Sequence, residues 1–174
     1  MRRSLGFFQS PDFGEKVLVR KKEIYDGATP SGNSVMAYNL VRLSRILSQP
    51  DYGKKAHQTL RAFSQVLFSF PAAHTFSLIA TDLLLTGGFE LIAVGKREKA
   101  LEDLLELQKR FLPEGVYAFK DEELESLSEF AKSLPPPEGE VSYYLCRDYR
   151  CEKPFGDISQ VVESLSTLEG SPPR

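Results

Sequence analysis

Cys146 and Cys151 flank Arg147, Asp148, Tyr149 and Arg150. The chemistry open to such a pair is thiol–disulfide exchange, because neighbouring guanidinium groups favour the nucleophilic thiolate. Fully extended, the five steps between them would separate the Cα atoms by roughly 17 Å, so a disulfide requires the segment to fold back to within about 7 Å. Four intervening residues is not the usual redox spacing, so a redox role and two ordinary thiols both stand as readings. A zinc site needs about four ligands. The remaining candidates, His57 and His74, lie in the other half of the chain, and no metal is expected.

A second group comprises Lys96, Lys120 and Arg147, each at the carboxyl end of an apolar run. Ligands of parallel sheets bind beyond those ends, and three cations with free helix N–H groups could hold a phosphate or carboxylate. Gly95 stands without a glycine-rich fingerprint or phosphate loop, so plainly solvated charges are the competing reading. Asp82, among Leu78, Ile79 and Leu85, is expected to be buried and to need a partner. His74 is not that partner, since eight helical residues separate the two by about 12 Å. His57 is placed on a wet helix flank near Arg61 and Ser64, and His74 at a helix start. No nucleophile, base and orienting acid assemble from these residues, and no catalytic residue or cofactor is assigned.

The elements that must carry these groups change character along the chain. Gly6 to Arg20 reads as loop with one short strand at Val17-Leu18-Val19. Tyr25 to Ser34 holds Asp26-Gly27, Thr29-Pro30 and Ser31-Gly32-Asn33, a density of turn formers that forbids regular structure. Asn33 or Ser34 can cap the next helix. That helix carries Met36, Leu40, Leu43 and Leu47 at helical spacing and leaves Asn39, Arg42 and Arg45 wet. After Pro50 a second helix repeats the stripe with Ala56, Leu60, Phe63, Leu67 and Phe70. A third, with Phe76, Ile79, Ala80, Leu83 and Leu84, ends at Gly87-Gly88.

From Phe89 onward strands and helices alternate. Leu91–Val94 precedes a helix whose Leu101, Leu104, Leu105 and Phe111 face one way. Val116–Phe119 precedes Glu122–Leu134 behind a capping Asp121, and Val141–Leu145 precedes Ile158–Leu168 behind Asp157 and Gln160. Such alternation implies parallel pairing. The expected fold is mixed α/β: a helical segment over 1–88, then a small three-stranded parallel α/β lobe over 89–174, with Gly170–Arg174 frayed.

The chain has 174 residues, 41% hydrophobic and 26% charged, with a formal charge of −2 and no tryptophan. It is long enough to bury a core and lacks the positive field that draws nucleic acid or anionic membranes, so neither is expected as a partner. Met1-Arg2-Arg3 resembles a signal n-region, but Leu5–Phe8 is too short for an h-region, and Phe76–Leu85 falls short of a membrane span. A cytoplasmic location is expected.

Leu18-Val19-Arg20 followed by Tyr25-Asp26-Gly27-Ala28-Thr29-Pro30-Ser31-Gly32-Asn33-Ser34 resembles a segment of the thioredoxin-domain-containing proteins related to the spermatogenesis-associated thioredoxin-like protein. Gly6-Phe7-Phe8 upstream, and Leu145-Cys146, Cys151 and Pro154 downstream, lie in that family's order, although Lys21 stands where many members have proline. The resemblance implies three parts in the family: a thioredoxin-like domain, a six-hairpin helical toroid similar to that of sugar epimerases, and a C-terminal α/β region. This chain is similar to the end of the toroid plus the last region, with no counterpart of the thioredoxin-like domain. In helical toroids ligand groups come from loops, so Tyr25, Asp26, Ser31 and Asn33 could bind a sugar-like ligand, or Asp26 and Asn33 could only build turns and a cap. A toroid fragment would leave its apolar stripes uncovered, which implies homo-oligomerisation or docking onto a separately encoded toroid or thioredoxin-like partner. The leading expectation is a non-catalytic structural or interaction module. The alternatives are an epimerase-like sugar-binding lobe using the Tyr25–Asn33 loop and a thiol redox accessory through Cys146 and Cys151.

Overall fold

The computed structural model describes residues 5–166. The Met1-Arg2-Arg3 start and the Gly170–Arg174 tail lie outside the described residues. Helices α1 (Gly32–Ile46), α2 (Pro50–Ala62), α3 (Ser64–Ser69), a 3-10 turn at Pro71–Ala73 and α4 (Thr75–Thr86) come first. Strand β1 (Phe89–Gly95), helix α5 (Arg97–Gln108), strand β2 (Gly115–Phe119), helices α6 (Glu122–Leu127) and α7 (Glu129–Ser133), strands β3 (Val141–Arg147) and β4 (Arg150–Cys151), and helix α8 (Ile158–Ser166) follow. The chain divides into two compact units. Residues up to Ser44 together with Gln49–Leu85 form one, and Arg45–Ser48 belongs with Thr86 onward in the other. No helix among the described residues is long and apolar enough to cross a membrane.

In the helical unit, the cap of α1 is Ser31 rather than Asn33 or Ser34: Ser34 N–H donates to Ser31 Oγ at 3.1 Å. Pro50 starts α2, where its missing N–H costs nothing. The stripe from Ala56 to Phe70 is not one helix. The backbone leaves helical geometry at Phe63, whose ring joins the core of Ile24, Ala37, Leu60, Leu67 and Ala80. That ring also lies where a Cβ on Gly6 would sit, 2.9 Å from Phe63 Cε2, and Gly6 has φ +81°. A second cluster gathers Leu40, Val41, Ala56 and Leu83. The Val17-Leu18-Val19 run forms no strand, the backbone bends at Leu18, and Leu18 is fully exposed. This segment is held instead by Gln9 N–H to Lys21 O, 2.9 Å, and by the Arg20 and Lys22 cations over the Phe8 ring.

In the sheet unit, the strand order is β2-β1-β3-β4. β1 and β2 are parallel, as the strand–helix–strand pattern requires, but β3 runs antiparallel to β1 and a short fourth strand extends it. Ser128 interrupts the connection between β2 and β3. It breaks the expected 122–134 helix, capping α7 by accepting from Ala131 N–H at 3.2 Å, so neither piece exceeds six residues. The chain then returns to the end of the sheet it left, with Ala93 opposite Phe119 and Gly95 opposite Val141.

One sheet face buries Phe89, Leu91, Ala93, Tyr143 and Leu145 under α5 and α8; the other buries Ile92, Val94, Tyr144 and Cys146 with Ile46, Leu124 and Leu134. The two sets alternate along each strand, as a pleat demands. On α5 the buried row is Ala100, Asp103, Leu104 and Leu107, whereas Leu101, Leu105 and Phe111 are exposed. The inward turn follows Asp103, which accepts hydrogen bonds from the buried Tyr143 hydroxyl and, at 2.8 Å, from Lys99. Burial, reinforced by Asp103, holds that hydroxyl well above the ordinary phenol range.

Candidate functional site

The turn-rich loop of the helical unit spends its polar groups on the fold. Asp26 Oδ1 accepts from Ser31 N–H at 2.8 Å, and its Oδ2 accepts from the N–H groups of Phe76 and Ser77 at 2.9 and 3.1 Å. One carboxylate thereby closes the loop and caps α4. Asn33 is buried, taking Phe7 N–H on Oδ1 at 2.7 Å and donating to the carbonyls of Phe7 and Glu23. Ser31, Ser34 and Ser77 form a buried hydroxyl chain with 2.7 Å links. Of the four sugar-site candidates, Tyr25 alone exposes its side chain, edge-on to His74. His74 is buried with Nδ1 3.0 Å from Ile24 O, and His57 is exposed on α2. Asp82 is exposed on α4, so no buried carboxylate arises there.

The three cations do not converge. Lys96 and Lys120 follow the parallel strands at one end of the sheet, but the reversal of β3 carries Arg147 to the other end, beyond Glu90. Each also meets a protein acceptor: Lys96 pairs with Glu140 at 3.3 Å, Lys120 donates to Leu134 O at 2.7 Å, and Arg147 faces Glu152 at 3.9 Å.

Two features remain. The first is an apolar groove of about 490 Å³ in the helical unit, lined by Leu60, Leu67, Phe68, Leu78, Leu84 and Leu85, with His57 and Arg61 at its polar margin. Phe68 is 87% and Leu85 75% exposed.

The second is the hairpin joining β3 to β4. Asp148 and Tyr149 both take left-handed φ, +48° and +61°, as a two-residue turn requires. This folding back opposes Cys146 to Cys151, and the two are joined by a disulfide with Cα atoms 3.9 Å apart. Behind Cys146, directly opposite it on β1, stands Glu90. Its carboxylate faces the Arg45 guanidinium, Nε to Oε1 3.8 Å, and both side chains are about nine-tenths buried. Burial pushes the Glu90 carboxyl up to about 7, against the opposing pull of Arg45; Asp148 adds to the rise and Arg147 offsets it. Burial also draws Arg45 down from its ordinary value, against Glu90, Tyr149 and Asp148. Sequence reasoning missed this pair. Arg45 falls on the face read as wet, and the available signal was a lone carboxylate inside the apolar run Phe89–Val94.

No family model matches the chain, and no solved structure matches it. Among curated proteins, an uncharacterized protein of Caenorhabditis elegans is 30% identical over 165 residues, 91% of this chain and 22% of the relative. Spermatogenesis-associated protein 20 of Homo sapiens is 28% identical over 167 residues, 92% of this chain and 21% of the relative. Its Rattus norvegicus counterpart is 27% identical with the same coverage. Homologues of that name are what the sequence resemblance points to. The chain spans about a fifth of the length of the curated relatives it matches.

Proposed function

We propose that the chain is an interaction module whose helical unit docks through its groove onto a helix-rich partner, of the kind the resemblance places in the family's toroid. The observation that carries this reading is the groove itself: Phe68 and Leu85 stand largely exposed on an apolar concavity of about 490 Å³. Contiguous apolar surface of this kind marks interfaces, and an amphipathic helix laid into a groove is the recognition mode it suits. The polar groups nearest the resemblance, Asp26, Ser31 and Asn33, serve the fold, which favours a structural role for that loop.

The test is sedimentation velocity of the chain at low micromolar concentration, alone and mixed with the unmatched four fifths of the Caenorhabditis elegans relative. A one-to-one complex that Phe68→Glu and Leu85→Glu abolish is the expected result. A compact monomer in both conditions overturns the proposal, and a dimer formed without the partner assigns the groove to a second copy instead.

A further inference from the structure

A single row of side chains crosses one face of the sheet: Val116 on β2, Glu90 on β1, Cys146 on β3 and Cys151 on β4. Directly opposed residues of neighbouring antiparallel strands hold their Cβ atoms about 4.5–5.5 Å apart, so Cys146 sits in the row between Glu90 and Cys151. Burial is graded along the row. Glu90 is 5% and Cys146 2% exposed, whereas Cys151 is open to solvent. The two sulfurs are therefore not equivalent: a thiolate arriving from solvent meets Cys151, and Cys146 is the sulfur that must depart inward.

We propose that this row is a dithiol–disulfide exchange site, in which Cys151 is attacked, Cys146 leaves and Glu90 supplies the proton the departing sulfur takes up. The co-reactant is a dithiol. One of its thiolates attacks Cys151 Sγ, forming a mixed disulfide as the Cys146–Cys151 bond breaks and its electron pair leaves on Cys146. The Glu90 carboxyl protonates that thiolate, and the resulting carboxylate faces Arg45. The second thiolate of the dithiol attacks its own partner sulfur, closing the dithiol's disulfide and releasing Cys151, which takes a proton from solvent. Glu90 recovers its proton from solvent. Two electrons have passed from the dithiol to the cysteine pair. The groups facing Glu90 are Arg45 from the end of α1 and Arg147 and Asp148 from the hairpin, with Tyr149 beside Arg45. Arg45 is placed to neutralise the carboxylate once its proton has gone, which a purely apolar setting would not allow.

The experiment is reduction of the air-oxidised chain by dithiothreitol from pH 5.5 to 8.5, followed by alkylation and mass measurement, with each rate divided by the dithiothreitol thiolate concentration. The normalised rate should be roughly tenfold or more higher at pH 5.5 than at pH 8.5, with its inflection near pH 7. Glu90→Gln should flatten the profile, and the wild-type profile decides alone if that variant does not fold. Glutathione completes the second step only through a second molecule, so a mixed disulfide caught by an early acid quench should lie on Cys151. A disulfide that only braces the hairpin would give a normalised rate indifferent to pH. That result, glutathione trapped on Cys146, or two freely alkylated thiols after air exposure would each overturn the proposal.

Discussion

The strands of the sheet unit put their apolar side chains away, whereas the helical unit leaves several of its largest in water, as Leu105 and Phe111 are left outside the strands. In the sheet unit Leu91, Ile92, Ala93 and Leu145 are wholly buried, and the polar groups taken inside have partners: Asp103 with Tyr143 and Lys99, Glu90 with Arg45. In the helical unit Phe68, Phe70, Leu85 and Leu18 are mostly exposed, while small residues such as Ala37, Ser77 and Ala80 are fully enclosed. A pleated strand between two helical layers has no free face, so its apolar alternation reports burial directly. A helix buries one stripe, and a second stripe records only what its surroundings were shaped to hold. The contrast separates strands sealed on both faces from helices that present a surface.

The sharpest way to break this contrast is to cut one large side chain from each unit. Leu91→Ala should cost about 2–5 kcal/mol in urea denaturation, the range for emptying a sealed core site. Phe68→Ala should stay within about 0.5 kcal/mol, because nothing in the helical unit encloses that ring. Equal losses would erase the distinction.

Polar anchors sharpen it further. Asp26→Ala strands three backbone N–H groups and should cost about 2–4 kcal/mol, with Asp26→Asn recovering part of the loss. Tyr143→Phe removes one donor from the buried Asp103 and should cost about 1–3 kcal/mol by the same denaturation assay.

A slope with pH tests the same sealed interior. The folded chain holds the Glu90 proton more tightly than the unfolded chain, with a carboxyl raised from 4.5 to about 7. Below pH 4.5 both states are protonated and the difference vanishes; between 4.5 and 7 the unfolded chain gains by ionising first, so stability falls as pH rises. Above about 7 the loss is complete. The melting temperature should drop across that window as pH rises, and Glu90→Gln should remove that part of the slope.

Much of the architecture was legible. The element types follow from periodicity, and Asp121 caps α6 as its sequence position suggests, accepting from Leu124 N–H at 2.9 Å. The reversal of β3 was not legible, because Ser128 inside an apolar-periodic stretch looks like an ordinary helical serine until its hydroxyl becomes a cap. The hairpin was equally hidden: Asp148-Tyr149 lacks the glycine that announces a two-residue turn, and only the opposed cysteines hint at it. Arg45 was misread since an arginine on a polar stripe says nothing of a carboxylate 45 residues onward. The Asp26 loop could be read as turn-forming from its composition, but its second task, capping α4 some 50 residues later, is a tertiary fact.

The serines and alanines enclosed in the helical unit carry a further consequence. Ser34 and Ala37 on α1 and Ser77 and Ala80 on α4 leave no accessible surface, and Ser34 Oγ meets Ser77 Oγ at 2.7 Å, so small side chains meet where the two helices touch. Bulk and polarity are both policed there: a single added methyl would act as a wedge between the helices, and a lost hydroxyl would break the buried hydroxyl chain.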